Sequence, residues 1–92
     1  MNDKKYKLLK DCTIKVFGRM LFQIEALINI ESKGVKKGDR GGYVEGEQNL
    51  AQDGDAWVSG NAEVSGNARV YGNAEVYGNA RVSARAAFTK GR

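Results

Sequence analysis

Ninety-two residues make one small domain, and a chain this short buries a limited core unless it repeats a simple packing unit or oligomerises. The formal charge is +4, with ten Lys or Arg against five Asp or Glu in residues 1–40 and five against six in residues 41–92, so any preference for anionic partners belongs to the N-terminal part. The chain has no histidine and one cysteine, Cys12; this removes the commonest general base, metal ligand and pH switch together and rules out an intramolecular disulfide.

In chain order, Met1-Asn2-Asp3-Lys4-Lys5-Tyr6-Lys7 lacks the apolar stretch of a secretory leader, and no run approaches the ~20 apolar residues that span a bilayer. The expected setting is cytoplasmic, with no membrane contact. Lys4, Lys5, Lys7, Lys10, Lys15 and Arg19 form a basic cluster that reads either as a solvated strand or as a phosphate-contacting, nucleic-acid-binding surface. Cys12 has no histidine to activate it and reads as a structural thiol. Thr13 to Phe17 is a candidate strand, Gly18-Arg19 a turn, and Met20, Phe22, Ile24, Ala26, Ile28 and Ile30 alternate with other residues at the strand period of two. A short helix over 21–30 is the alternative. Gly38-Asp39-Arg40-Gly41-Gly42 lacks the Lys-Ser/Thr ending of a phosphate loop and reads as a turn into the next element, an anion site there being the minor alternative.

From Asn49 onward the chain repeats every six residues: Asn49-Leu50-Ala51-Gln52, Asp55-Ala56-Trp57-Val58, Asn61-Ala62-Glu63-Val64, Asn67-Ala68-Arg69-Val70, Asn73-Ala74-Glu75-Val76, Asn79-Ala80-Arg81-Val82. Tyr43-Val44-Glu45-Gly46 looks like a first unit, and a degraded last one ends at Phe88. Ala and Val stand two apart and share one face of a short strand, so that face is the core. The Gly-Asn pairs between units adopt positive φ easily and turn the chain at regular corners. Read as hairpin turns instead, they would give a ribbon of four-residue strands with little to bury.

Val64-Ser65-Gly66-Asn67-Ala68-Arg69 resembles the hexapeptide-repeat family of left-handed parallel β-helices, although glycine stands third in the unit here rather than second. That resemblance spans about residues 43 to 88 and implies an all-β fold: a short left-handed parallel β-helix over 41–92 behind a basic, β-rich capping segment over 1–40, together one compact domain. It also implies three units per turn, so residues eighteen apart stack. The expected walls carry Trp57 and Ser59 over Glu75 and Tyr77, Glu45 over Glu63 over Arg81, and Asp53 over Tyr71 with Ala51 over Arg69. Inside, Val58 stacks on Val76, Val64 on Val82 and Val70 on Phe88. So few turns need strong capping or oligomerisation, as a dimer or trimer. The wording around the repeat, with Val35 to Val44, is similar to small proteins of phages and mobile elements.

These readings converge on a non-enzymatic chain with no cofactor and no metal. Acyltransferases of the hexapeptide family use a histidine base, which is missing, and Glu45, Glu63 and Glu75 fall at regular outward positions that suit solvated repeats. The expected interface residues are Trp57, Tyr77 and Tyr71, because exposed aromatics mark contacts; for Trp57 and Tyr77 the alternative is local packing under the N-terminal segment. The expected anion- or nucleic-acid-binding residues are Lys4, Lys5, Lys7, Lys10, Arg19 and Arg69. The resemblance to phage proteins implies an inhibitor of a host defence protein or nucleoprotein, comparable to an anti-CRISPR. The alternatives are an oligomeric binder that sequesters an anionic nucleotide through Arg69, Tyr71 or the N-terminal lysines, and a structural assembly module.

Overall fold

A computed structural model describes residues 4–16 and 18–82 and the backbone of 87–88. The molecule is mostly β, with almost no helix. Strands β1 (Tyr6–Val16) and β2 (Arg19–Ala26) form an antiparallel hairpin through Gly18, whose φ of +79° suits glycine. This is the strand reading of residues 20–30 rather than the helical one. The strand is shorter than its alternation, ending at Ala26, and its two ends differ. Ile24 and Ala26 are buried in the core, whereas Met20 and Ile28 are exposed.

The repeat region supplies β3 (Arg40–Val44) and six two-residue strands: β4 (Trp57–Val58), β5 (Glu63–Val64), β6 (Arg69–Val70), β7 (Glu75–Val76), β8 (Arg81–Val82) and β9 (Ala87–Phe88). Each of β4, β5 and β6 pairs in parallel with the strand eighteen residues later: Val58 beside Val76, Val64 beside Val82, Val70 beside Phe88. Three ladders therefore build up side by side. Their inward residues, including Ala56, Val58, Ala62, Val64, Ala68, Val70, Ala74 and Val76, join one buried cluster. Gly54, Gly60, Gly66, Gly72 and Gly78 all have φ between +63° and +74°, which makes them the corners between ladders.

The first turn departs from the expected spacing. Val44 pairs with Val64 and Leu50 with Val70, a separation of twenty residues rather than eighteen. Leu50 thus takes a valine place, not the alanine place that the Asn49-Leu50-Ala51-Gln52 alignment assigned. Two amide bonds locate the surplus: Ala51 N–H donates to Val70 O and Asp55 N–H to Gly72 O, which leaves Gln52-Asp53-Gly54 opposite Gly72 alone. Tyr43, not Glu45, lies over Glu63, and Ala51 and Asp53 do not stack on Arg69 and Tyr71. Hexad counting missed this because Asn49 and Asp55 keep the six-residue wording across a stretch whose backbone has slipped.

The surplus residues fasten the hairpin. Gln52 accepts from the amides of Lys5 and Tyr6 through Oε1 (2.7 and 3.2 Å) and donates to Tyr6 O through Nε2 (3.3 Å). Asn49 is fully buried; its Oδ1 accepts from Glu45 and Gly46 N–H, and its Nδ2 donates to Gly66 and Ala68 O.

The three ladders are closed at this end by three different groups. Over β3 lies β2, which pairs antiparallel with it and extends the ladder into a five-stranded mixed sheet, β1-β2-β3-β5-β8. In the β4 ladder Trp57 N–H bonds downward to Ala74 O, so the alternate carbonyls of Gly54 and Ala56 face the missing turn above. The Lys5 ammonium takes both, at 3.4 and 2.6 Å. The Tyr6 hydroxyl donates to Leu50 O at 2.5 Å and to Glu47 O at 3.3 Å. Buried polar groups at a sheet end need partners, and two consecutive side chains plus one strand supply them.

Gly41 and Gly42 sit where the hairpin meets the repeat. A β-carbon on Gly41 would lie 2.4 Å from Val58 O and 2.8 Å from Ile24, and one on Gly42 would lie 2.6 Å from Ala62 O. The pair belongs to a strand that approaches its neighbour closely, not to the turn that the glycine-rich wording suggested; the turn is Lys36 to Asp39, with Gly38 at φ +93°.

Candidate functional site

Trp57 and Tyr77 were expected to share a wall, and they do, since Trp57 pairs with Glu75 in the ladder that also carries Tyr77. They do not share an environment. Trp57 is 1% exposed and Tyr77 67%. Trp57 points outward from its ladder but is packed in one cluster with Tyr6, Ala26, Ile30 and Val35 of the N-terminal segment, so it is not a surface residue. A short 3₁₀ turn, Glu31–Lys33, and the bond from Ser32 Oγ to Asp55 Oδ2 (2.9 Å) hold that segment down.

The basic cluster is likewise divided. Lys5 is 1% exposed and serves as the cap described above, so it is unavailable to an outside anion. Burial pulls its pKa down to about 8, with the nearby carboxylates of Asp55 and Asp53 resisting the fall. Lys4 pairs with Glu47 at 3.0 Å, and Arg19 reaches both oxygens of Glu45 at 2.9 and 3.1 Å. The Glu45 carboxyl also accepts from Gly66 N–H, and this bond, ahead of Arg19, lowers its pKa. Lys7, Lys10 and Lys15 remain exposed along β1, the outer strand of the five-stranded sheet. Cys12 lies in the irregularity of β1 between Leu9 and Thr13 and accepts a weak bond from Arg40 Nη1 at 3.6 Å.

Arg69 and Tyr71 are brought together. The Arg69 guanidinium carbon lies 5.7 Å from the centroid of the Tyr71 ring, a cation–π contact on a side chain 39% exposed. They face a groove of about 460 Å³ lined by Glu47, Gln48 and Ala51 of the first turn and by Asn67, Arg69 and Tyr71 of the second. Sequence reading named Arg69 and Tyr71 but not Gln48 or Asn67, because only the twenty-residue turn brings the 3₁₀ turn Glu47–Asn49 alongside β6. The remaining expected pair, Glu63 and Arg81, forms an ion pair at 3.4 Å between a half-buried carboxylate and an exposed guanidinium.

Among the described residues no helix is long and apolar enough to cross a membrane. The chain matches no known protein family and no curated protein sequence.

Proposed function

We propose that the chain is a short left-handed parallel β-helix that works as a non-enzymatic, cytoplasmic binding module, self-associating as a dimer or trimer and engaging a host protein or nucleoprotein. The eighteen-residue parallel pairing and the positive-φ glycine every six residues support the helical reading, and the hexapeptide resemblance supplies its hand. The inhibitory, anti-defence role of a phage-encoded protein rests on the second resemblance, that of residues 35–44 and the repeat wording.

The observation that carries a binding role is Tyr77. It is the most exposed large apolar side chain among the described residues, it occupies an outward position that the core does not need, and Glu75 and Ser59 beside it leave the ring open. An aromatic in that setting adds little to folding and is a side-chain type that contacts favour. The absence of histidine and the engagement of Glu45 and Glu63 in ion pairs favour binding over catalysis.

Affinity purification of the tagged chain from a bacterial host, read by mass spectrometry, tests the reading. The expected result is one stoichiometric protein or nucleoprotein complex, lost with Tyr77→Ala. Recovery that ignores Tyr77, or no complex at all, overturns it.

A further inference from the structure

We infer that the groove between the first and second turns binds a nucleoside phosphate, with Tyr71 as the stacking platform for the base and Arg69 as the phosphate ligand. This goes beyond the partner reading and does not depend on it. Three features of the groove point the same way.

The first is charge. Glu47 on the groove wall is engaged by Lys4 at 3.0 Å, and among the described residues Arg69 forms no ion pair; its one contact is with the Tyr71 ring. The guanidinium is therefore held in place by an aromatic face while its five N–H donors stay uncommitted, an arrangement suited to phosphate oxygens. The second is the platform. Tyr71 is 39% exposed, and a phenol ring beside a cation is the pairing that recognises bases by stacking while the phosphate is neutralised. The third is the rest of the lining. Gln48 and Asn67 both line the groove, and each carries an amide with donor and acceptor, the group type that reads base edges. A volume of about 460 Å³ falls within the range of small-molecule sites.

The groove exists because of the slip in the first turn. With eighteen residues in that turn Ala51 would lie over Arg69; with twenty, Leu50 pairs with Val70, and the 3₁₀ turn comes alongside β6 so that Glu47, Gln48 and Ala51 line the groove together with Arg69 and Tyr71.

The test is calorimetric titration of the full chain with adenosine 5′-monophosphate, uridine 5′-monophosphate, ribose 5-phosphate and a short single-stranded oligonucleotide. The expected result is saturable binding of at least one base-bearing probe, weakened about tenfold or more by Arg69→Ala and by Tyr71→Ala, as loss of a charge-assisted bond or of base stacking requires. Tyr71→Phe and Tyr77→Ala keep it, and ribose 5-phosphate binds at least about tenfold more weakly than either mononucleotide. Binding of the mononucleotides assigns a free nucleotide as the ligand; binding of the oligonucleotide alone assigns a strand. Both side chains are exposed, so thermal melts of the variants match the wild type. The inference is overturned if no base-bearing probe binds at millimolar concentration, if ribose 5-phosphate binds as well as the nucleotides, or if Arg69→Ala binds normally. Capture of a Tyr77-dependent protein partner in the absence of nucleotide binding removes this site and leaves the binding module standing.

Discussion

In the repeat region Val58, Val64 and Val70 meet nearly the same surroundings three times over, each beside an aliphatic or aromatic residue eighteen positions later. In the hairpin no two positions are alike: Tyr6 bonds Leu50, Lys5 bonds Ala56, Ile24 packs near Gly41 and Leu8 lies half-buried at the edge of the cluster. The repeat is built of small equivalent increments, whereas the hairpin holds the first turn through large side chains that occur once each. Damage is therefore expected to be shared among turns in the repeat and concentrated at single residues on the hairpin side.

The largest effect is expected where the two regions meet. Trp57→Ala removes the biggest side chain that both share and should cost about 3–5 kcal/mol in urea unfolding, whereas Tyr77→Ala on the same wall should fall within about 0.5 kcal/mol. Equal losses would mean that the hairpin does not cover Trp57. Next in size is the close approach at β3. Gly41→Ala forces a β-carbon to within 2.4 Å of Val58 O, and an overpacked site of this kind should lose about 3 kcal/mol. Gly78→Ala meets open space but keeps φ at +67°, so only backbone strain of about 1 kcal/mol is expected. A seam that tolerated Gly41→Ala as well as the corner tolerates Gly78→Ala would be a loose one.

Inside the repeat the effects shrink. Ala74 is buried, and Ala74→Leu should cost about 1–3 kcal/mol by crowding a narrow interior, while Glu75→Ala next to it should change stability by less than about 0.5 kcal/mol. Thermal shifts of the same size for both would place Ala74 on the wrong face.

The smallest effect is a slope. The Lys5 pKa falls from 10.5 in the free side chain to about 8 in the folded chain. Below pH 8 both states hold the proton, so the group adds no pH dependence; between about 8 and 10.5 the unfolded chain binds a proton that the folded chain has released, and stability rises with pH. Tyr6 acts in the opposite sense, since burial raises its pKa above the ordinary 10.0 and stability falls once the unfolded phenol ionises. Unfolding of wild type and Lys5→Met compared at pH 7, 8 and 9 isolates the lysine, because both proteins keep Tyr6. The wild type should gain on the variant as pH rises above about 8; a constant difference would show that the ammonium is not buried.

The inward Ala and Val of the repeat and the glycine corners were legible because one physical demand recurs with a fixed period, and any one unit teaches the next. The β1–β2 hairpin was legible from Gly18 and the alternation that follows it. Capping was expected, but the caps themselves were not, since nothing local distinguishes Lys5 from Lys4 or Lys7; their fates differ only through carbonyls some fifty residues away. Of the two readings left open for Trp57, interface or packing under the N-terminal segment, the second holds, and the sequence could not choose between them for the same reason, an outward place in a strand being uncovered only if no other segment crosses it. The candidate groove was half legible, as Arg69 and Tyr71 stand two apart in the sequence, while the residues opposite them depend on the slip at Gln52 to Gly54.

That slip has a bearing on how the chain finds its alignment. A string of near-identical rungs possesses translational symmetry: a segment docked one period too far along would meet almost the same alanines, valines and glycines, and little free energy would separate the two states. The three-for-one mismatch opposite Gly72 destroys that degeneracy at a single place. Gln52, which exists only within the surplus, offers the hairpin its backbone partners there. The chain thus carries an origin mark, and deleting Gln52 and Asp53 to restore a uniform eighteen-residue pitch would trade a local irregularity for an ambiguous zero point.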